Sequence, residues 1–142
     1  MKDAGLTIHT DGGARGNPGP AACAFVAELG EKTIGEGALY LGNTTNNFAE
    51  YKGVILALEW VIENFDYNLS QDITFYLDSE LVVKQLIGIY KVKDAKLQNL
   101  FLQVKKLQEK IDLKIFFKNI PREKNKEADR LVNIELDKNP VL

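Results

Sequence analysis

A single cysteine, four prolines and no long apolar run set the first limits on this 142-residue chain. With Cys23 alone, no disulfide can form within the chain, which suits a reducing compartment. The longest apolar run, Ala21 to Ala27, falls far short of the roughly 20 residues a helix needs to span a bilayer. Met1 to Ile8 carries no apolar core of signal-peptide length, so a cytoplasmic protein is expected. Low-complexity tracts, linker-like stretches and internal repeats are missing too. The composition, 45% hydrophobic and 27% charged, is that of an ordinary globular chain, and residues 1–142 read as one domain.

A strongly basic balance is also lacking: the net charge is −2. The total hides an asymmetry. Residues 1–83 hold 4 Lys/Arg and 12 Asp/Glu, whereas residues 84–130 hold 13 and 6. An acidic half beside a basic half fits a cation site flanked by a phosphate-binding surface. Lysines solvated on amphipathic helices would give the same count.

Leu6 to Thr10 reads as a strand ending at Asp11, and the Gly- and Pro-rich stretch Gly12 to Pro20 as a loop. Ala21 to Leu29 and Thr33 to Leu41 read as strands joined by a turn at Gly30-Glu31, giving three antiparallel strands in succession. The period then changes. Phe48, Tyr51, Val54, Ile55, Leu58, Val61, Ile62 and Phe65 recur every three or four residues, one face of a long helix capped by Asn46 or Asn47. Ile73 to Leu77 is a strand closed by Asp78-Ser79. A short helix follows and stops at Gly88, a third helix runs from about Leu97 to Ile111, Leu113 to Phe117 is a strand, and a last helix surrounds Ala128 to Val132. The order βββ-α-β-α-α-β-α implies an α/β fold. Its one sheet is mixed and five-stranded, antiparallel first and parallel later, with helices on both faces.

Four carboxylates fall at the ends of these elements: Asp11 and Asp78 after strands, Glu50 and Asp129 in the first turns of helices. If they converge, two charges about 4 Å apart repel by roughly 4 kcal/mol at an effective dielectric near 20. Such a cluster must take up protons or a cation. Oxygen-only ligands select a hard ion, Mg²⁺ or Mn²⁺. Ordinary caps and surface charges are the alternative that position alone leaves open.

The words around these residues are more specific. Thr10-Asp11-Gly12-Gly13-Ala14-Arg15-Gly16-Asn17-Pro18-Gly19-Pro20-Ala21 resembles the signature loop of type 1 ribonuclease H. Thr45-Asn46-Asn47-Phe48-Ala49-Glu50-Tyr51, Leu77-Asp78-Ser79-Glu80-Leu81-Val82 and Asn125-Lys126-Glu127-Ala128-Asp129-Arg130-Leu131 are similar to that family's later motifs, in the family's order. The likeness covers residues 5 to 137 or so. It implies a ribonuclease H-like fold and a monomeric endoribonuclease that cuts the RNA strand of RNA/DNA hybrids. Asp11, Glu50, Asp78 and Asp129 would hold two Mg²⁺ or Mn²⁺ ions, and the products would be 5′-phosphate and 3′-hydroxyl ends. It also implies that Asn17, Asn46 and Asn47 face the 2′-hydroxyl-lined minor groove of the hybrid, and that Thr45 helps hold a phosphate of the DNA strand. Gly12 belongs with them as a place of close backbone approach. Turn and cap duty is the other common use of such asparagines.

Two departures from the family pattern stand out. Many relatives carry a histidine before the last aspartate, but here the loop reads Ile120-Pro121-Arg122-Glu123-Lys124-Asn125. Arg122 is the candidate for that role, acting electrostatically because an arginine cannot serve as a base. The sole histidine, His9, shares the Asp11 face of a strand and reads as packed. The basic, Trp-containing protrusion of some members is replaced by Gly88-Ile89-Tyr90-Lys91-Val92-Lys93-Asp94-Ala95, the compact form, which leaves substrate grip to Lys91, Lys93, Lys96 and their neighbours. A nuclease of the same fold acting on double-stranded RNA or DNA, and an inactive binding module, remain as alternatives.

Overall fold

The computed structural model describes residues 5–140. Its elements are β1 (Leu6–Ala14), β2 (Gly19–Leu29), β3 (Lys32–Thr44), α1 (Asn46–Asn64), β4 (Asp72–Leu77), α2 (Glu80–Leu86), α3 (Ala95–Glu109), β5 (Lys114–Asn119) and α4 (Lys126–Asp137), with short 3₁₀ turns at Tyr67–Leu69 and Arg122–Lys124. The sheet order is β3-β2-β1-β4-β5. The first three strands pair antiparallel, and β4 pairs parallel to both β1 and β5. This is the expected mixed sheet.

Alternation along the strands divides the side chains between two faces. Leu6, Ile8, Phe25, Ala27, Ile73, Phe75, Leu77 and Phe117 meet α1, α2 and α3 in the large core. On the other face Ala22 and Ala24 meet Val132 and Leu136 of α4 in a smaller one. Small residues on β2 let α4 lie close there. Trp60 packs at the margin of the large core, against Phe25 and over Gly35, where any side chain would overlap the indole. Cys23 is buried in β2, and burial pushes its thiol up to about 12.

Two boundaries differ from the sequence reading. β1 does not end at Asp11 but continues through Gly12-Gly13-Ala14, which pair with Cys23, Ala22 and Ala21. A ladder needs only backbone groups, so glycines that look like a loop can extend a hairpin. What stops near Asp11 is the pairing with β4, whose register on β1 runs from Leu6↔Ile73 to His9↔Tyr76. The cap of α1 is Thr45, whose side chain accepts the Phe48 N–H at 3.2 Å, rather than Asn46 or Asn47. Those asparagines lie inside the first turn.

Candidate active site

Because β4 stops short, the β4-facing polar groups of β1 beyond His9 lose their strand partner. Side chains replace it. Glu50, in the first turns of α1, accepts the Gly12 N–H at 3.0 Å, and Asn125 donates to the Thr10 carbonyl at 2.9 Å. Buried backbone groups require such partners, so completing this edge brings α1 and the start of α4 to one point. Asp78 follows the last residue of β4 and arrives at the same place.

The result is a group in which Asp11, Glu50 and Asp78 each offer a carboxylate oxygen, all within 4.8 Å of one another. Asp11 is 7% exposed and Glu50 5%. Glu50 Oε2 is buried with no hydrogen-bond partner. Asp129 lines the same cavity of about 510 Å³ but stands on the exposed side of α4, outside the close group. Three of the four expected carboxylates therefore converge, and the fourth looks onto them.

Burial is the largest influence pushing Asp11 up to about 7, and the neighbouring charges of Asp78 and Asp129 add to it. Burial first, and then the charge of Asp11, hold Glu50 well above the ordinary carboxylate range. A hard divalent cation fits such a donor set: all donors are oxygens, one is an orphaned buried carboxylate atom, and the groups repel one another without it. The folded-state pKa of Asp11 lies above its ordinary 3.8, so without a cation the folded protein keeps a proton that the unfolded chain has released between about 4 and about 7. That contribution is full below the lower value and lost as pH rises through the upper, on the order of 4 kcal/mol. In chelator, the Asp11→Asn variant should therefore gain on the wild type in melting temperature as pH goes from 5 to 8. A constant difference between the two would show that Asp11 ionises normally.

The other expected site residues are placed as follows. Gly12 lines the cavity, but its N–H is committed to Glu50 and its α-carbon lies against the Ala49–Glu50 backbone of α1. Close approach there is to a helix. Asn17 Oδ1 accepts the Asn46 N–H at 3.0 Å, and Asn46 Oδ1 accepts the Ala14 N–H at 2.8 Å, so both brace the β1–β2 hairpin against α1. Each keeps its amide NH₂ outside these bonds. Asn46 and Asn47 line the carboxylate cavity, and Asn17, Thr45 and Asn47 line a neighbouring one of about 590 Å³ that Lys96 also borders. Lys93 is exposed between α2 and α3, while Lys91 borders an apolar cavity with Tyr90, Phe101 and Leu102. Arg122 lines the carboxylate cavity as an exposed side chain. Arg15 also lines it but is tied to α4 through Asp137 at 2.8 Å and Asn133 at 3.3 Å. His9 is half-buried and stacked on Tyr76, and burial holds its pKa below the ordinary imidazole value, with Glu28 opposing. It is packed, as expected. Sequence reasoning gave no role to Asn125, which is 1% exposed and donates to both Thr10 and Asp78. Its place four residues before Asp129 was the only sign.

Comparison with known proteins places the chain in a family. Residues 9–134 match the Reverse transcriptase-like family. Ribonuclease HI of Halobacterium salinarum is 38% identical over 138 residues, 95% of this chain and 67% of that protein. A bifunctional protein of Mycobacterium tuberculosis is 35% identical over 93% of this chain, which spans only 35% of that protein's length. Among solved structures, LC11-RNase H1 from compost, crystallised with an RNA/DNA hybrid, superposes with a TM-score of 0.88 at 42% identity, covering 94% of this chain and 97% of that one. The architecture is thus that of the ribonuclease H fold, strand order and pairing directions included. The chain belongs to the type 1 ribonuclease H family, in the compact form that passes from α2 to α3 without a basic protrusion.

Proposed function

We propose that this domain is an endoribonuclease that hydrolyses the RNA strand of RNA/DNA hybrids, using Mg²⁺ or Mn²⁺ in two sites formed by Asp11, Glu50, Asp78 and Asp129. The observation that carries the reading is the close carboxylate group, buried on one side and open to a broad cavity on the other. Hydrolysis adds water to phosphorus and breaks its bond to the 3′ oxygen, leaving 5′-phosphate and 3′-hydroxyl ends. Divalent cations, when bound, supply activation of the water and charge neutralisation at the leaving oxygen. The chain's part is to hold the oxygens in place. Glu50 is fixed by Gly12, Asp78 by Asn125, and Asp11 by its place in the sheet. Asp129, more exposed, faces the same cavity from α4.

The free amide NH₂ groups of Asn17 and Asn46, with Asn47 beside them, suit 2′-hydroxyls, which both donate and accept. Lys96 beside Asn17, Thr45 and Asn47 suits a phosphate of the DNA strand, with Lys91 and Lys93 further along. Arg122 steadies phosphate charge at the cavity mouth. The domain acts as a monomer, and the lone buried thiol suits the cytoplasm. Among the described residues no helix is long and apolar enough to cross a membrane.

Cleavage of hybrid, double-stranded RNA and DNA duplexes with each divalent ion tests the proposal. Cutting of the hybrid RNA strand alone, dependent on the ion, is expected. Equal cutting of double-stranded RNA would reassign the substrate. Replacing Lys91, Lys93 and Lys96 with Ala should reduce the salt slope of hybrid binding by roughly one for each lysine that meets a phosphate. An unchanged slope would place all three off the substrate path.

A further inference from the structure

Asn125 uses its side chain against the habit of its position. It stands at the N-cap of α4, where an asparagine oxygen ordinarily accepts a first-turn N–H, yet it makes no such bond. Its Nδ2 donates instead to the Thr10 carbonyl at 2.9 Å and to Asp78 Oδ2 at 3.1 Å. A backbone carbonyl can only accept, so the Thr10 partner fixes the amide's orientation. Oδ1 is then left buried without a donor. A forgone cap and an unpaired acceptor are both unfavourable, and what they are exchanged for is the pair of bonds at Nδ2.

We infer that Asn125 is a positioning residue for the carboxylate site, orienting Asp78 toward Asp11 and Glu50 and tying the start of α4 to the open edge of β1. Thr10, at that edge, directly precedes Asp11, and Asp129, whose N–H bonds the Asn125 carbonyl, lies one turn further along α4. One amide thus links the segments carrying three of the four carboxylates. Among the described residues, the Asn125 amide is the one hydrogen bond that the Asp78 carboxylate accepts. One Asp78 oxygen is held while the other stays clear for a cation. Neutral donors suit this place better than a lysine, which would compete with the cation for the same oxygens.

The inference rests on the reading that these carboxylates bind a divalent ion, and the test separates the two. Mn²⁺ binding is measured by electron paramagnetic resonance for wild type, Asn125→Ala, Asp78→Ala and the double variant. Asn125→Ala should weaken Mn²⁺ binding about 10- to 100-fold and lower kcat on hybrid similarly, with KM changed by no more than about twofold. In the Asp78→Ala background the second change should weaken Mn²⁺ binding clearly less than it does in wild type, because the part of its effect that runs through Asp78 is already gone. Undiminished affinity in Asn125→Ala, or a full additional loss beside Asp78→Ala, would overturn the inference while leaving the cation site standing. Failure of the wild type to bind Mn²⁺ would overturn the site itself. If Asn125→Ala does not fold, nuclear magnetic resonance of the metal-free wild type decides. The Asn125 amide protons should exchange slowly with solvent and shift in Asp78→Ala, and rapid exchange would sink the assignment.

Discussion

Asp11→Asn should reduce hybrid cleavage at least a thousand-fold while making the cation-free protein more heat-resistant at pH 8. The two effects share one cause. Asp11 is buried in a middle strand of the sheet, with carboxylates of Glu50 and Asp78 within 4.8 Å, and its pKa is pushed up to about 7. At pH 8 the cation-free protein must hold that charge next to the others, which opposes folding. An amide removes the charge and keeps the shape. It also removes an anionic ligand, and the several kcal/mol of transition-state stabilisation that a cation site supplies convert to three or more orders of magnitude in rate. Each 1 kcal/mol recovered shifts the melting temperature of a domain this size by roughly 2–4 °C. Differential scanning calorimetry in chelator, beside a cleavage assay in Mg²⁺, reads both. A variant that still cuts, or one that melts lower than wild type at pH 8, would count against a charged cluster at this point.

Gly12→Ala should be nearly as damaging for a different reason. A Cβ on residue 12 would overlap the Ala49 carbonyl and the Glu50 nitrogen of α1. These are backbone atoms of a 19-residue helix, so no rotamer change can relieve the overlap. Overpacking a core typically costs 1–3 kcal/mol, and a rigid obstacle puts this substitution at about 3 kcal/mol or more. Any displacement of α1 also moves Glu50, whose Oε1 takes the Gly12 N–H at 3.0 Å. A shift of about 1 Å at a reacting centre can cost on the order of a hundred-fold in rate. Both losses should appear together, in urea unfolding and in kcat. Wild-type stability in Gly12→Ala would mean that α1 does not press on β1 there.

Much of this molecule is legible in its sequence. The three- and four-residue recurrence from Phe48 to Phe65 marked α1 within a residue or two, and strand–helix alternation after it gave the parallel half of the sheet. Glu50 and Asp78 were legible because a helix start and a strand end gather at one edge; Asp11 lies inside β1, at the point where its pairing with β4 has stopped, and there the motif words pointed to it. What stayed hidden depends on relations between segments far apart in the chain. Nothing in Gly12-Gly13-Ala14 announces a strand, because its pairing is decided by Ala21 to Cys23 across the hairpin. Thr45 and Asn46 are both good capping types, and only the hairpin's need for the Asn46 side chain at Ala14 leaves the cap to Thr45. Asn125 meets residues 115 and 47 positions away, a separation that local pattern does not carry. The grip residues were the least legible. Exposed lysines obey no packing rule, and only the fold sets Lys96 beside Asn17 and Thr45 while Lys91 borders apolar walls.

The interior position of Cys23 has a practical consequence. A sulfhydryl walled in by the sheet, and ionising only near pH 12, presents almost no thiolate to alkylating reagents at neutral pH. The native protein is therefore a silent background for site-directed labelling. A cysteine introduced at an exposed point such as residue 93 would take a fluorophore or spin label alone, with no need to delete Cys23 and repack the strand around it.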